Sequence, residues 1–139
     1  MVGELLSIRK RSAVERKALE IIRGKSFEEG HFALFSGGAA IRPFGAPEMA
    51  HFASLRECAG RNGLDTLEID SHYVSAAELL ILRWLAEAQR RSGLRTFRFK
   101  DIGLLTALRH CAVILEQIGL MLPPRTLALF SRVDPLAPR

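Results

Sequence analysis

From Leu64 to Gly93 the chain reads LDTLEIDSHYVSAAELLILRWLAEAQRRSG, and the period of its apolar positions changes partway along. Leu67, Glu68 and Ile69 alternate with the period of a strand that has one covered face, predicting a strand that ends near Asp70. Ser75 and Glu78 then precede an apolar run at the spacing that lets each side chain satisfy an unpaired N–H at a helix start. The helix that follows carries Leu79, Leu80, Ile81, Leu82, Trp84, Leu85, Ala86 and Ala88. Arg83, Glu87, Arg90 and Arg91 fall on one narrow stripe, so only a thin face is left for water. Gly93 offers a left-handed stop. Trp84 reads as a core residue, because Leu80, Ile81, Leu85 and Ala88 surround it at helical spacing.

The same patterning divides the rest of the chain. Leu5, Ile8, Leu19 and Ile22 give a partial helical stripe, broken by the basic run Arg9 to Arg11, and predict a helix from Ala13 to Arg23 that Gly24 ends. This preface reads as an accessory helix packed on the domain or on a symmetry mate, in preference to a basic amphipathic arm for an acidic partner or a membrane surface. From His31 to Phe44, HFALFSGGAAIRPF holds two apolar runs split by Ser36, Gly37 and Gly38, which predicts two strands and a tight turn. The glycines do not make a phosphate cradle, since no Lys-Ser/Thr follows them. Gly45, Ala46 and Pro47 open a helix, with Glu48 near its positive end and Met49, Phe52, Leu55 and Ala59 on one face. Asn62 and Gly63 turn the chain.

Phe97 and Phe99 alternate with Arg95, Arg98 and Lys100 in a further predicted strand, and Asp101 can cap the next helix. That helix carries Leu104, Leu105, Leu108, Cys111, Ala112, Leu115 and Ile118 and is closed by Gly119. Pro123 and Pro124 force an extended approach to a last strand containing Leu127, Leu129 and Phe130. Pro135 and Pro138 then end ordered structure.

A chain of 139 residues can bury one sufficient core without disulfides or metal. Cys58 and Cys111 have no companion at ligand spacing and read as buried thiols of a reducing compartment. No run approaches the roughly eighteen apolar residues of a membrane span, and the start lacks a leader pattern, so a soluble cytoplasmic protein without a membrane span is expected. The net charge of +5 and pI near 9.9 raise nucleic-acid binding as an option. The basic residues are spread out, however, and Glu15, Glu20, Glu57 and Glu87 lie among them, which describes a solvated surface and no nucleic-acid partner. A winged-helix DNA-binding protein is a further alternative. Its recognition helix would be Leu104 to Gln117, which is too apolar to read base edges. His31, His51, His72 and His110 sit on different elements, and the adjacent Asp70, Ser71 and His72 point in different directions, so no catalytic set assembles. No enzyme activity, cofactor or metal is expected.

The order of elements describes an α/β fold: a single mixed β-sheet of about five strands with helices mainly on one face, plus the N-terminal accessory helix. ALFSGG, LDTLEID, YVSAAELLILRWLAEAQRRSG, RTFRFKDI and ILEQIGL, in that order, resemble the STAS domain of bacterial anti-sigma factor antagonists over about His31 to Val133. The resemblance divides the chain into an arm over 1–30, a STAS-like domain over 31–134 and a disordered tail over 135–139. It implies a non-catalytic regulatory module whose partner is an anti-sigma factor or kinase-like regulator; a homodimer stays open. A small-ligand or lipid/anion-transport-associated domain of the same family is the alternative.

The family's switch turn, an aromatic or aliphatic pair followed by Asp-Ser-Ser/Thr-Gly-Leu, corresponds here to Tyr73, Val74, Ser75, Ala76, Ala77, Glu78 and Leu79. Ala76 stands where the phosphoacceptor would be, so the usual phospho-switch is lost. Ser75 is a displaced phosphorylation candidate whose local role is to cap the helix with Glu78. The partner-binding surface implied by this resemblance, and by the positive end of the helix, comprises Ser71, His72, Ser75, Ala76, Ala77 and Glu78 with Arg42 and Pro43 beside them.

Overall fold

The computed structural model of the chain describes residues 6–27, 31–90 and 100–123. Its helices begin where carboxylates meet free backbone N–H groups. At α1 (Ala13–Ile22) the Ser12 hydroxyl accepts from the Glu15 N–H and the Glu15 carboxylate accepts from the Ser12 N–H, both at 3.1 Å. At α2 (Ala46–Arg61) Gly45 has no side chain to offer, and Glu48 accepts the Gly45 N–H at 2.8 Å. Ser75 and Glu78 close the same reciprocal box at α3 (Ala76–Ala88). At α4 (Ile102–Gln117) Asp101 itself accepts from the Leu104 N–H at 3.2 Å. Gly24 and Gly119 follow α1 and α4 with φ of +92° and +86°, the left-handed geometry that lets the chain leave a helix.

The strands are short. β1 (Leu6–Ser7) pairs antiparallel with β4 (Tyr73–Val74), and β2 (Ala33–Ser36) pairs antiparallel with β3 (Ala39–Pro43) across Gly37 and Gly38. Both turn glycines have positive φ, +60° and +84°, as a tight hairpin turn demands. A register shift between Leu34 and Phe35 adds twist to this hairpin.

The core lies among the helices. α1 packs on α2 and α3, α4 packs on the same two, and β2 rests on α4. Leu19, Ile21 and Ile22 of α1 meet Phe52 and Leu55 of α2, Leu80, Ile81 and Leu85 of α3, and Leu108 and Leu115 of α4 in one buried cluster. Each such side chain contributes about 1.5–3 kcal/mol by leaving water. Trp84 is buried, as its apolar neighbours predict.

This architecture corrects the expected fold. In place of one mixed sheet of about five strands, the described residues form two separate two-stranded antiparallel ribbons beside four helices. The strand expected at Leu67 to Asp70 does not form. The Leu67 N–H donates to Glu78 Oε2 at 3.1 Å, and the Ser71 N–H closes a turn onto the Glu68 carbonyl, so side-chain and turn bonds replace a ladder there. The first helix joins the same core. Ala18, Leu19, Ile21 and Ile22 are buried, because α3 is apolar on nearly all sides and takes its cover from helices where a sheet was expected. The strands expected around Phe97 and Leu127, and the tail over 135–139, lie outside the described residues.

Candidate functional site

The turn from Ser71 to Glu78 is built around an arginine from the first helix. Arg23, the residue that ends α1, has a side chain only 1% exposed and forks onto Glu78, Nε to Oε2 at 2.7 Å and Nη2 to Oε1 at 2.9 Å. Its remaining donors hold the loop before β4: Nη1 reaches the Ser71 carbonyl at 3.2 Å, and Nη2 the Tyr73 carbonyl at 2.6 Å. Glu78, wholly buried, also accepts from the Ser75 N–H, the Ser75 hydroxyl and the Leu67 N–H. One carboxylate therefore gathers donors from the loop before β4, the N-terminus of α3 and the end of α1.

These bonds sort the expected contact residues into two kinds. Ser75 and Glu78 bond each other, and Glu78 also takes Arg23, so they hold the turn in shape and offer little to a partner. A phosphate on Ser75 would set a dianion against the Glu78 carboxylate. Ser71 bridges locally, its hydroxyl accepting from the Tyr73 N–H at 3.2 Å. His72 and Ala76 are exposed, Ala77 is half-buried, and the His72 carbonyl receives the Ile8 N–H at 2.8 Å, tying the turn to the residue that follows the first strand. Tyr73 adds an aromatic ring 52% exposed to water.

Arg42 and Pro43 stand at the end of β3 and the approach to α2. Arg42 ion-pairs with Glu48, the carboxylate that accepts the Gly45 N–H. Glu48 is buried, whereas half of the Arg42 side chain meets water. Pro43 helps to line an open hollow of about 420 Å³ with Ser26, Phe27, Phe44, Gly45, Ala46 and Met49. Between β2 and α2, every residue of β3 is exposed, and Ile41 and Phe35 show 56% and 46% of their surfaces.

Two further carboxylates repeat the theme. Glu15 at the start of α1 is buried and lies 3.7 Å from Arg11. Asp101 at the start of α4 accepts from Asn62 Nδ2 and Arg61 Nη2, each at 3.1 Å. The Asn62 amide, the Leu104 N–H and the Arg61 guanidinium together hold the Asp101 carboxyl below the usual carboxylate range.

Sequence reasoning found Ser75 and Glu78 from their spacing. It missed Arg23, whose partner lies 55 residues away and leaves no local mark. The exposed pair Phe35 and Ile41 also went unremarked, although their strands were expected. Among the described residues no group of three or more His, Cys, Asp or Glu side chains is placed to hold a metal ion, and no helix is long and apolar enough to cross a membrane. The chain matches no family model, no curated protein and no solved structure, so nothing in these comparisons identifies a STAS domain. Fold and site together describe a helical domain with arginine-paired carboxylates at its helix starts and an open two-stranded hairpin on its surface.

Proposed function

We propose that the protein is a non-catalytic protein-interaction module and that its docking surface is the β2–β3 hairpin together with Arg42 and Pro43. The observation that carries this reading is the exposure of β3 along its whole length, with Ile41 and Phe35 open to water. Among the described residues β3 is bonded on one side only, and such a strand presents N–H and C=O groups that an extended segment of another protein can take up. Exposed apolar side chains beside that edge supply the anchoring contacts. A two-stranded ribbon is marginal by itself, and an added strand would stabilise it.

A photo-crosslinking side chain at position 41 tests the proposal, with the exposed Arg109 of α4 as the control position. Position 41 should yield adducts with one partner protein where position 109 yields none. Ile41→Asp should weaken capture of that protein at least about tenfold, or ~1.4 kcal/mol. Equal labelling at both positions, with unchanged capture by Ile41→Asp, overturns the hairpin as the surface. Loss of capture in Ala76→Asp alone would move the surface to the turn before α3.

The hollow beside Phe27, Phe44 and Met49 favours a second reading, a small-ligand module, because its volume of about 420 Å³ suits a small apolar molecule. A thermal upshift with fatty acids or nucleotides that Met49→Trp abolishes would support it.

A further inference from the structure

α2 and α4 run against each other, and the contact brings two histidines together. Cys111 Sγ donates to the His51 carbonyl at 3.4 Å, which fixes the residue after His110 against the His51 backbone. The imidazoles of His51 and His110 meet with ring centroids 4.9 Å apart and planes at 75°. Both side chains are exposed, so their rings can turn without disturbing the core.

We infer that His51 and His110 form a two-histidine clamp for a divalent transition-metal ion of the zinc, nickel or copper type. The separation is the reason. A metal–nitrogen bond of about 2.0–2.1 Å places a ring centroid roughly 3.2 Å from the ion, so two imidazoles at about 90–110° around one ion have centroids about 4.5–5.2 Å apart. The observed 4.9 Å falls inside that interval. The clamp needs only ring rotations that aim one nitrogen of each imidazole at a shared point, while packed helices hold the two backbones in place. Imidazole is the donor that borderline divalent ions prefer, and hard ions such as magnesium and calcium favour oxygen.

The neighbouring thiol stays out of the ligand set. Cys111 is buried beneath the exposed imidazoles, and its thiol is engaged with the His51 carbonyl. With no third His, Cys, Asp or Glu grouped there among the described residues, water fills the other positions, and the site is open and exchangeable rather than structural. His31 is engaged elsewhere, stacked on Phe27 at 5.1 Å.

The experiment is a calorimetric titration of the full chain with zinc chloride at neutral pH, alongside His51→Ala, His110→Ala and the control His72→Ala. Zinc should bind, the affinity should fall at least about tenfold in either clamp variant, and His72→Ala should bind as the parent does. Substoichiometric copper(II) added to the parent chain should broaden the ring-proton signals of His51 and His110 before those of His31 and His72, a readout that needs no variant to fold. Absence of zinc binding, binding that persists in both clamp variants, or broadening that begins at His31 or His72 overturns the assignment.

Discussion

Two carboxylates at helix starts, Glu48 and Glu78, have the same local job and different surroundings. Each is the third residue of its helix, each is buried, and each accepts the N–H of the residue that caps it, Gly45 or Ser75. Each is also paired with an arginine. Arg42 comes from the neighbouring β3 and leaves half its side chain in water, whereas Arg23 comes from the far end of α1 and is almost wholly enclosed. The near pair costs little to form and little to lose, because water competes for its guanidinium. Both charges of the far pair have left water, so removing one strands the other. A cap is thus a local device that tertiary packing can turn into a bolt between distant segments.

The largest expected effect follows from that contrast. Glu78→Ala should destabilise by about 3–5 kcal/mol in urea unfolding, since it leaves the Arg23 guanidinium buried and unpaired; a loss below ~1 kcal/mol would mean that water reaches the pair. Replacing both partners, Arg23→Met with Glu78→Leu, should return about half or more of that loss, because an apolar pair of similar volume avoids the desolvation cost. Complete recovery is not expected, as the Leu67 and Ser75 N–H groups lose their acceptor.

The near pair should respond more weakly. Glu48→Ala should cost about 1–2 kcal/mol, the worth of a helix cap with one buried donor left unpaired. Arg42→Ala should cost less than about 1 kcal/mol in the same assay. Equal losses for Arg42→Ala and Arg23→Ala would erase the distinction between an open and an enclosed pair.

The smallest effect belongs to Asp101, whose carboxyl is held below its ordinary value by Asn62, Leu104 and Arg61. A carboxyl with a lowered folded-state pKa adds stability above its unfolded value, near about pH 4, and loses it as pH falls through the lower folded value. Asp101→Asn should therefore reduce stability near neutrality and flatten the acid limb of the stability–pH curve. Urea midpoints compared at neutral pH and near pH 3 check both; an unaltered acid limb would show that Asp101 does not contribute to it.

Much of the helical part of the fold is legible in the chain. Ser75 and Glu78, Asp101, Gly24 and Gly119 mark helix ends through bonds made within a few residues, and Gly37 and Gly38 mark a hairpin through their own backbone freedom. The stretch at Leu67 to Ile69 shows where such reasoning stops. Its alternation is genuine, yet Leu67 donates to a side chain and Ile69 is exposed, and no strand among the described residues takes up its pattern. Of the expected contact surface, Ser75 is bonded to Glu78 and Glu78 to Arg23, while Arg42 and Pro43 belong to the exposed strand of the hairpin.

What the amino-acid order determines by itself is where helices start and stop, which of their faces are apolar and where the hairpin turns, because those outcomes rest on contacts between residues close in the chain. Only the tertiary structure decided that α1 is a wall of the core, that Glu78 rather than Glu48 receives an enclosed arginine, and that His51 meets His110. Each of these joins residues tens of positions apart, and a buried charge or an apolar face accepts whatever partner packing brings to it.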